Sequence, residues 1–144
     1  MKTLYTARAT ALGGRKGHTE TDDKRVSFDL STPGAPDSKP NTTNPEQLFA
    51  SGYAACFGSA VEHVAKQQNI KAEGTQVRAE VSLNQDEAGF SLSVTLSVTI
   101  PGVDGAKAEQ LIRAAHKVCP YSKAIQGNVD VKLKANDKDL QQAA

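Results

Sequence analysis

Alternation of side-chain type is the feature that most limits what this chain can fold into. Leu92, Val94, Leu96, Val98 and Ile100 alternate with Ser and Thr, and just upstream Val77, Ala79, Val81 and Leu83 alternate with polar or charged residues. Successive side chains of a strand point to opposite faces, so this pattern buries one face and wets the other. Sheets with one wet face favour antiparallel pairing. The link at residues 84–89 is short and polar, so the two runs predict a hairpin. Weaker alternation at residues 3–10, at Val26, Phe28 and Leu30, and at Val129, Val131 and Leu133 predicts three further strands.

Two stretches switch to helical period. The first begins at Asn44-Pro45-Glu46-Gln47. Asn suits an N-cap, Pro suits the first helical position, and Gln three residues after the cap resembles a capping box. Leu48, Phe49, Gly52, Ala55, Cys56, Ala60 and Val64 follow at helical spacing, predicting a helix to about residue 68. Its many small residues allow close approach of another backbone and predict a central position. The second helix runs over residues 104–119, with Leu111, Ala115 and Val118 on one face, and Pro120 disfavours helical geometry at Cys119. The predicted order is β-β-α-β-β-α-β, an α+β fold of mostly antiparallel sheets packed on two central helices.

With 144 residues the chain is expected to form a single domain over residues 1–144. The Pro- and Gly-containing stretch 31–44 reads as a surface connection, and residues 136–144 as a polar tail. Lys and Arg number 17 against 16 Asp and Glu, which gives no electrostatic reason for a nucleic-acid or anionic-membrane partner. No window reaches the ~18 apolar residues of a membrane span. The start, MKTLYTARATALGGRKGH, lacks the apolar run of a secretory signal, so a cytoplasmic location is expected. There, disulfides are usually transient, catalytic or sensing.

The two cysteines, Cys56 and Cys119, exclude a four-cysteine zinc site but allow one disulfide or one redox pair. Each can also be a small buried hydrophobe. Cys119 closes a predicted helix, where unpaired carbonyls disfavour an anion, so it is expected to be the less acidic thiol. Cys56 lies three turns into its helix and needs a cation from elsewhere to become a ready thiolate. Arg15, in Gly13-Gly14-Arg15-Lys16-Gly17, is a candidate cation, although a plain turn explains it too. Glu46 fits the helix dipole. It lies about 15 Å along the helix from Cys56, so it could act on Cys56 only through a long Arg or from another subunit. His116 with Cys119 has metal-ligand spacing, but Cys56 and His63 lie two turns apart, which argues against a shared metal ion. A Cys–His hydrolase lacks a third orienting residue.

The segment Asn44 to Phe57 (NPEQLFASGYAACF) resembles the first-cysteine helix of the organic hydroperoxide resistance (Ohr) family, a branch of the OsmC/Ohr superfamily. The segment Val118-Cys119-Pro120-Tyr121-Ser122-Lys123-Ala124 resembles its second-cysteine segment, and Gly13-Gly14-Arg15 its arginine loop. The resemblance implies an intertwined homodimer and a thiol peroxidase that reduces organic or lipid hydroperoxides. By position it makes Cys56 the peroxidatic thiol and Cys119 the resolving thiol, with Arg15 stabilising thiolate and peroxide and Glu46 orienting Arg15. No bound metal or cofactor is implied. The reductant would be an external dithiol, a lipoylated protein or dihydrolipoamide. An organic substrate needs an apolar mouth, for which Phe49, Tyr53, Phe57 and Tyr121 are candidates unless the core claims them.

Overall fold

The computed structural model describes residues 1–141 and divides the chain into two compact units, Met1–Leu48 and Phe49–Ala144. The first carries a three-stranded antiparallel sheet, β1 (Ala9–Leu12), β2 (His18–Thr21) and β3 (Ser27–Asp29). Residues 3–8 form no strand, so the first predicted strand moves down the chain to residues 9–12. The strand β2 has the sequence HTET, with all four residues half-buried, and offers no apolar alternation from which to predict it. Past β3, Leu30 forms a parallel bridge to Thr43, so the loop 31–44 leaves and returns at one place.

The loop between β1 and β2 is shaped by glycine. Gly13 has φ +82°, a left-handed conformation that side chains disfavour, and a Cβ on Gly17 would sit 1.7 Å from the Leu12 carbonyl oxygen. A 3₁₀ turn over Gly14–Lys16 lies between them and carries Arg15 outward.

The long helix α1 (Pro45–Gln67) starts where its cap predicts. The Gln47 backbone N–H donates to Asn44 Oδ1 at 2.9 Å, and Gln47 Oε1 accepts from the Thr43 hydroxyl at 2.8 Å. The cap thus satisfies one of the donors that every helix start leaves without an intrahelical partner.

The second unit holds β4 (Gln76–Asp86), β5 (Gly89–Thr99), α2 (Gly105–Val118), α3 (Pro120–Ile125), β6 (Val131–Ala135) and β7 (Lys138–Asp139). The sheet order is β4-β5-β6-β7. The hairpin β4–β5 is as predicted, with Asp86 opposite Gly89, so the strands run into the link and leave a two-residue turn. The pair β5–β6 is parallel, and its crossover contains α2 and α3. Val94, Leu96, Val98 and Ile100 are buried at alternate positions and meet Tyr53, Phe57, Val61 and Val64 of α1 and Leu111, Ile112 and Ala115 of α2 in one core. Full burial of such a side chain contributes roughly 1.5–3 kcal/mol.

Two expectations are corrected. Pro120 ends α2 but also opens α3, because a missing N–H is tolerated in the first turn of a helix. The stretch after Ala135 turns back at Asn136 and Asp137, both at positive φ, and pairs as β7. Of the expected polar tail, residues 142–144 lie outside the described residues. Helix α1 is central as expected, burying Tyr53, Phe57, Ala60, Val61, Val64 and Ala65 in the core, while Ser51, Ala55 and Ser59 are exposed in the single chain.

Candidate active site

The two cysteines converge, although 63 positions separate them in sequence. Cys119 Sγ donates to Cys56 Sγ at 3.6 Å, and both are free thiols. Helix α1 presents Cys56 half-buried, while Cys119 is fully buried at the α2–α3 junction. Burial pushes the Cys56 thiol up from its ordinary value, the Tyr121 backbone N–H pulls it down, and Cys119 pushes it up again. These groups all belong to the second unit and none is a cation.

Cys119 is not at a bare helix end. It is the C-cap of α2, its N–H bonded to the Ala115 carbonyl at 2.8 Å, and it is also the N-cap of α3. The C-terminal end of α2 and the N-terminal end of α3 therefore meet at Cys119. The two thiols differ by access to solvent.

In the first unit Arg15 and Glu46 form a two-bonded fork. Nη1 donates to Oε2 at 2.9 Å and Nη2 to Oε1 at 2.6 Å. This geometry fixes the guanidinium plane as well as its charge. The bond from Arg15 holds the Glu46 carboxyl below its ordinary range, against some desolvation, and Glu46 raises Arg15 in turn. Lys16 reaches Asp37 at 2.9 Å, tying the arginine loop to the 31–44 connection.

The four aromatic candidates form one cluster. Phe49, Tyr53 and Phe57 succeed one another up α1 at ring separations of 5.9 and 6.3 Å, and Tyr121 packs 5.7 Å from Tyr53 and 6.0 Å from Phe49. Tyr53 and Phe57 are fully buried core residues and present no surface to a substrate in the single chain. Phe49 is half-buried and Tyr121 is exposed, so these two carry the apolar surface. Tyr121 lies across α1 at Gly52, where an added Cβ would sit 2.6 Å from the tyrosine hydroxyl.

Buried Tyr53 and Ser122 and half-buried His116 form a polar trio that no sequence pattern marks. The Tyr53 hydroxyl meets Ser122 Oγ at 2.6 Å, and Ser122 Oγ meets His116 Nδ1 at 2.9 Å. Tyr53 and Ser122 are 69 positions apart, which no local pattern reveals. Among the described residues no group of three or more His, Cys, Asp or Glu side chains is arranged to hold a metal ion, and no helix is long and apolar enough to cross a membrane.

Residues 36–134 match the family model described as OsmC-like protein. Organic hydroperoxide resistance protein OhrB of Bacillus subtilis is 54% identical over 132 residues, covering 90% of this chain and 96% of that protein. The organic hydroperoxide resistance protein of Xanthomonas axonopodis pv. citri is 47% identical over 137 residues, covering 92% and 94%. The crystal structure of the B. subtilis OhrB protein superposes with a TM-score of 0.88 at 52% identity, over 92% of this chain and 99% of that one. One from Legionella pneumophila gives 0.87 at 52% identity, over 93% and 98%. A family-model match over residues 36–134, together with identity near one half and close superposition along nearly the whole chain, makes this chain a member of the organic hydroperoxide resistance branch of the OsmC/Ohr family.

Proposed function

We propose that this protein is a cysteine peroxidase that reduces organic hydroperoxides to alcohols and so protects against oxidative stress. The observation that carries the reading is the pair of free thiols 3.6 Å apart, Cys56 half-buried and Cys119 enclosed. The names of the relatives point to the same substrate class.

The Cys56 thiolate attacks the outer oxygen of ROOH, the O–O bond breaks, and the alkoxide leaves as the alcohol. Cys56 becomes a sulfenic acid. Cys119 attacks that sulfur, its proton joins the departing hydroxyl as water, and a Cys56–Cys119 disulfide forms. An external dithiol, a lipoylated protein or dihydrolipoamide, reduces it by exchange. Arg15 is the cation assigned to the thiolate and to the developing alkoxide, with Glu46 orienting it. Phe49 and Tyr121 offer the apolar surface for the organic group.

The same reading makes the protein a cytoplasmic homodimer. Leu4, Tyr5, Leu12 and Phe28 in the first unit are exposed, as is the small-residue face of α1, and a second copy would cover them.

The test is a thiol count after adding cumene hydroperoxide to reduced protein. Loss of two thiols per chain without crosslinks between chains is expected. Cys56→Ser should abolish turnover, and Cys119→Ser should consume one equivalent and stop at a trapped sulfenate. Full turnover by Cys56→Ser would overturn the assignment.

A further inference from the structure

A cavity of about 290 Å³ opens between α2 and β6, within the second unit, and neither cysteine lines it. The apolar part of its lining is Val131 and Leu133 of β6 with Leu140, whose N–H donates to the Leu133 carbonyl at 2.9 Å. The polar part is one face of α2, where Arg113, His116 and Lys117 stand three and four residues apart. Apolar clefts with a few convergent polar groups are where small ligands bind, in volumes of roughly 300–1,000 Å³. This cavity lies at the small end of that range, and the charged side chains that line it are cations.

The polar trio decides what His116 offers there. The Tyr53 hydroxyl, the Ser122 hydroxyl and His116 Nδ1 stand in a row, at 2.6 and 2.9 Å. Only one placement of protons gives each hydroxyl an acceptor within the row: Tyr53 donates to Ser122, and Ser122 donates to Nδ1. The opposite direction leaves the Tyr53 proton without an acceptor among the described residues, and two donors facing Ser122 leave the serine proton without one. Tyr53 and Ser122 are buried, where an unmet donor is costly. Burial also holds His116 below its ordinary value, so the ring is neutral near neutral pH. Its proton therefore lies on Nε2, which bonds no described residue and is the ring nitrogen free to meet a ligand.

The charges suit a single anion. Arg113 is held by Glu109 at 2.8 Å and by the Gln141 carbonyl, which fixes the guanidinium and leaves its Nη1 without a described partner. Lys117, in the last turn of α2, makes no ion pair or hydrogen bond with a described residue. Two cations against the Glu109 carboxylate, beside a neutral His116, leave one positive charge uncompensated. A bare inorganic anion would leave Val131, Leu133 and Leu140 facing water, and a pure hydrocarbon would leave the Nε2–H and Lys117 unused. A ligand that uses the whole lining carries one carboxylate on a short hydrocarbon chain.

We propose that this cavity is a binding site for a short-chain organic monocarboxylate, its carboxylate accepting from His116 Nε2–H and pairing with Lys117 beside Arg113, and its chain lying on Val131, Leu133 and Leu140. Binding makes and breaks no covalent bond. The site shares no residue with the thiols, Arg15 or the apolar surface of Phe49 and Tyr121, so it does not rest on the peroxidase reading.

The probe is octanoate, titrated calorimetrically into the full chain with both thiols kept reduced, beside acetate and 1-octanol. Octanoate is expected to bind once per chain with a Kd on the order of 0.1–1 mM. Acetate lacks the chain and 1-octanol the charge, so each should bind about tenfold more weakly or worse. Lys117→Gln changes an exposed side chain and should weaken octanoate about threefold to tenfold. Val131→Phe fills the cavity and should abolish binding. In nitrogen NMR, octanoate should move the signal of a protonated His116 Nε2. No saturable binding would overturn the site, and is the result if a second copy covers the cavity. Octanoate binding that both variants leave unchanged would place the acid elsewhere on the chain and overturn it too, as would an unmoved Nε2 signal. Equal binding of 1-octanol would overturn the assignment of an acid. Should Val131→Phe fail to fold, Lys117→Gln and the His116 signal decide. None of these outcomes alters the thiol count, so the site and the peroxidase reading stand or fall separately.

Discussion

The two units hold themselves together differently. In Phe49–Ala144, α1, α2 and β5 interdigitate in one apolar core, and the two thiols sit against it. In Met1–Leu48, Leu30 is the one buried apolar side chain among the described residues, and Leu12 and Phe28 lie open. Beyond the ladders of its three-stranded sheet, its ties include the ion pairs Arg15–Glu46, Lys16–Asp37, Lys24–Glu20, Arg25–Asp23, and His18 between Asp29 and Glu20. Exposed pairs contribute roughly 0–1 kcal/mol each. A unit with so little core needs cover, which the proposed second copy would supply. The chemistry divides the same way, with sulfur in the cored unit and the candidate cation in the uncored one.

The sharpest way to break this contrast is to cut into the core. Leu111→Ala should lower unfolding free energy by about 2–5 kcal/mol in denaturant titration. A loss below about 0.5 kcal/mol would place Leu111 outside the core that carries stability. Next in size is the borrowed charge. Arg15→Ala should slow peroxide reduction about tenfold to a hundredfold at neutral pH and move the rate–pH profile to higher pH, because an unassisted Cys56 thiol holds its proton longer. An unmoved profile in stopped-flow assays would detach Arg15 from Cys56.

The cover itself comes third. Leu12→Asp with Phe28→Asp should turn dimer into monomer in sedimentation equilibrium while the second unit keeps its helical circular dichroism. A dimer that persists would mean that this sheet is not the interface. The smallest effect is in acid. Glu46 has a depressed pKa in the folded protein, so its pairing contributes stability above its ordinary value of 4.5. That contribution is lost as pH falls through the depressed value. Glu46→Gln should therefore lower Tm slightly at neutral pH, and the difference should close in acid. A constant difference across pH would mean the carboxylate charge is not what counts.

Much of the cored unit was legible in the sequence, and much of the other was not. Long alternation marked β4 and β5, and an Asn-Pro start marked α1, because each writes its physics over neighbouring residues. The strand β2 reads HTET and β7 has two residues, so neither is long or apolar enough to declare itself. Pro120 carried two meanings, stop and start, and only its surroundings choose between them. At the site, Cys56 and Cys119 could be singled out by type and position. Without the family resemblance, the residues left Arg15 and Glu46 with turn and helix-dipole explanations. Tyr53, Ser122 and His116 come together through tertiary packing, which leaves no periodic trace.

The parallel pairing of β5 with β6 has a consequence for the order in which the protein assembles. The β4–β5 hairpin closes over a two-residue turn and can form early. The strand β6 can dock only after the chain has traversed α2 and α3, and that crossover carries Cys119. Closing so long a loop loses entropy before any contact repays it. Both cysteines precede β6 in the chain, so their meeting requires only that α1 and the α2–α3 junction pack together. A crosslink between the two thiols would therefore report that packing step separately from the docking of β6.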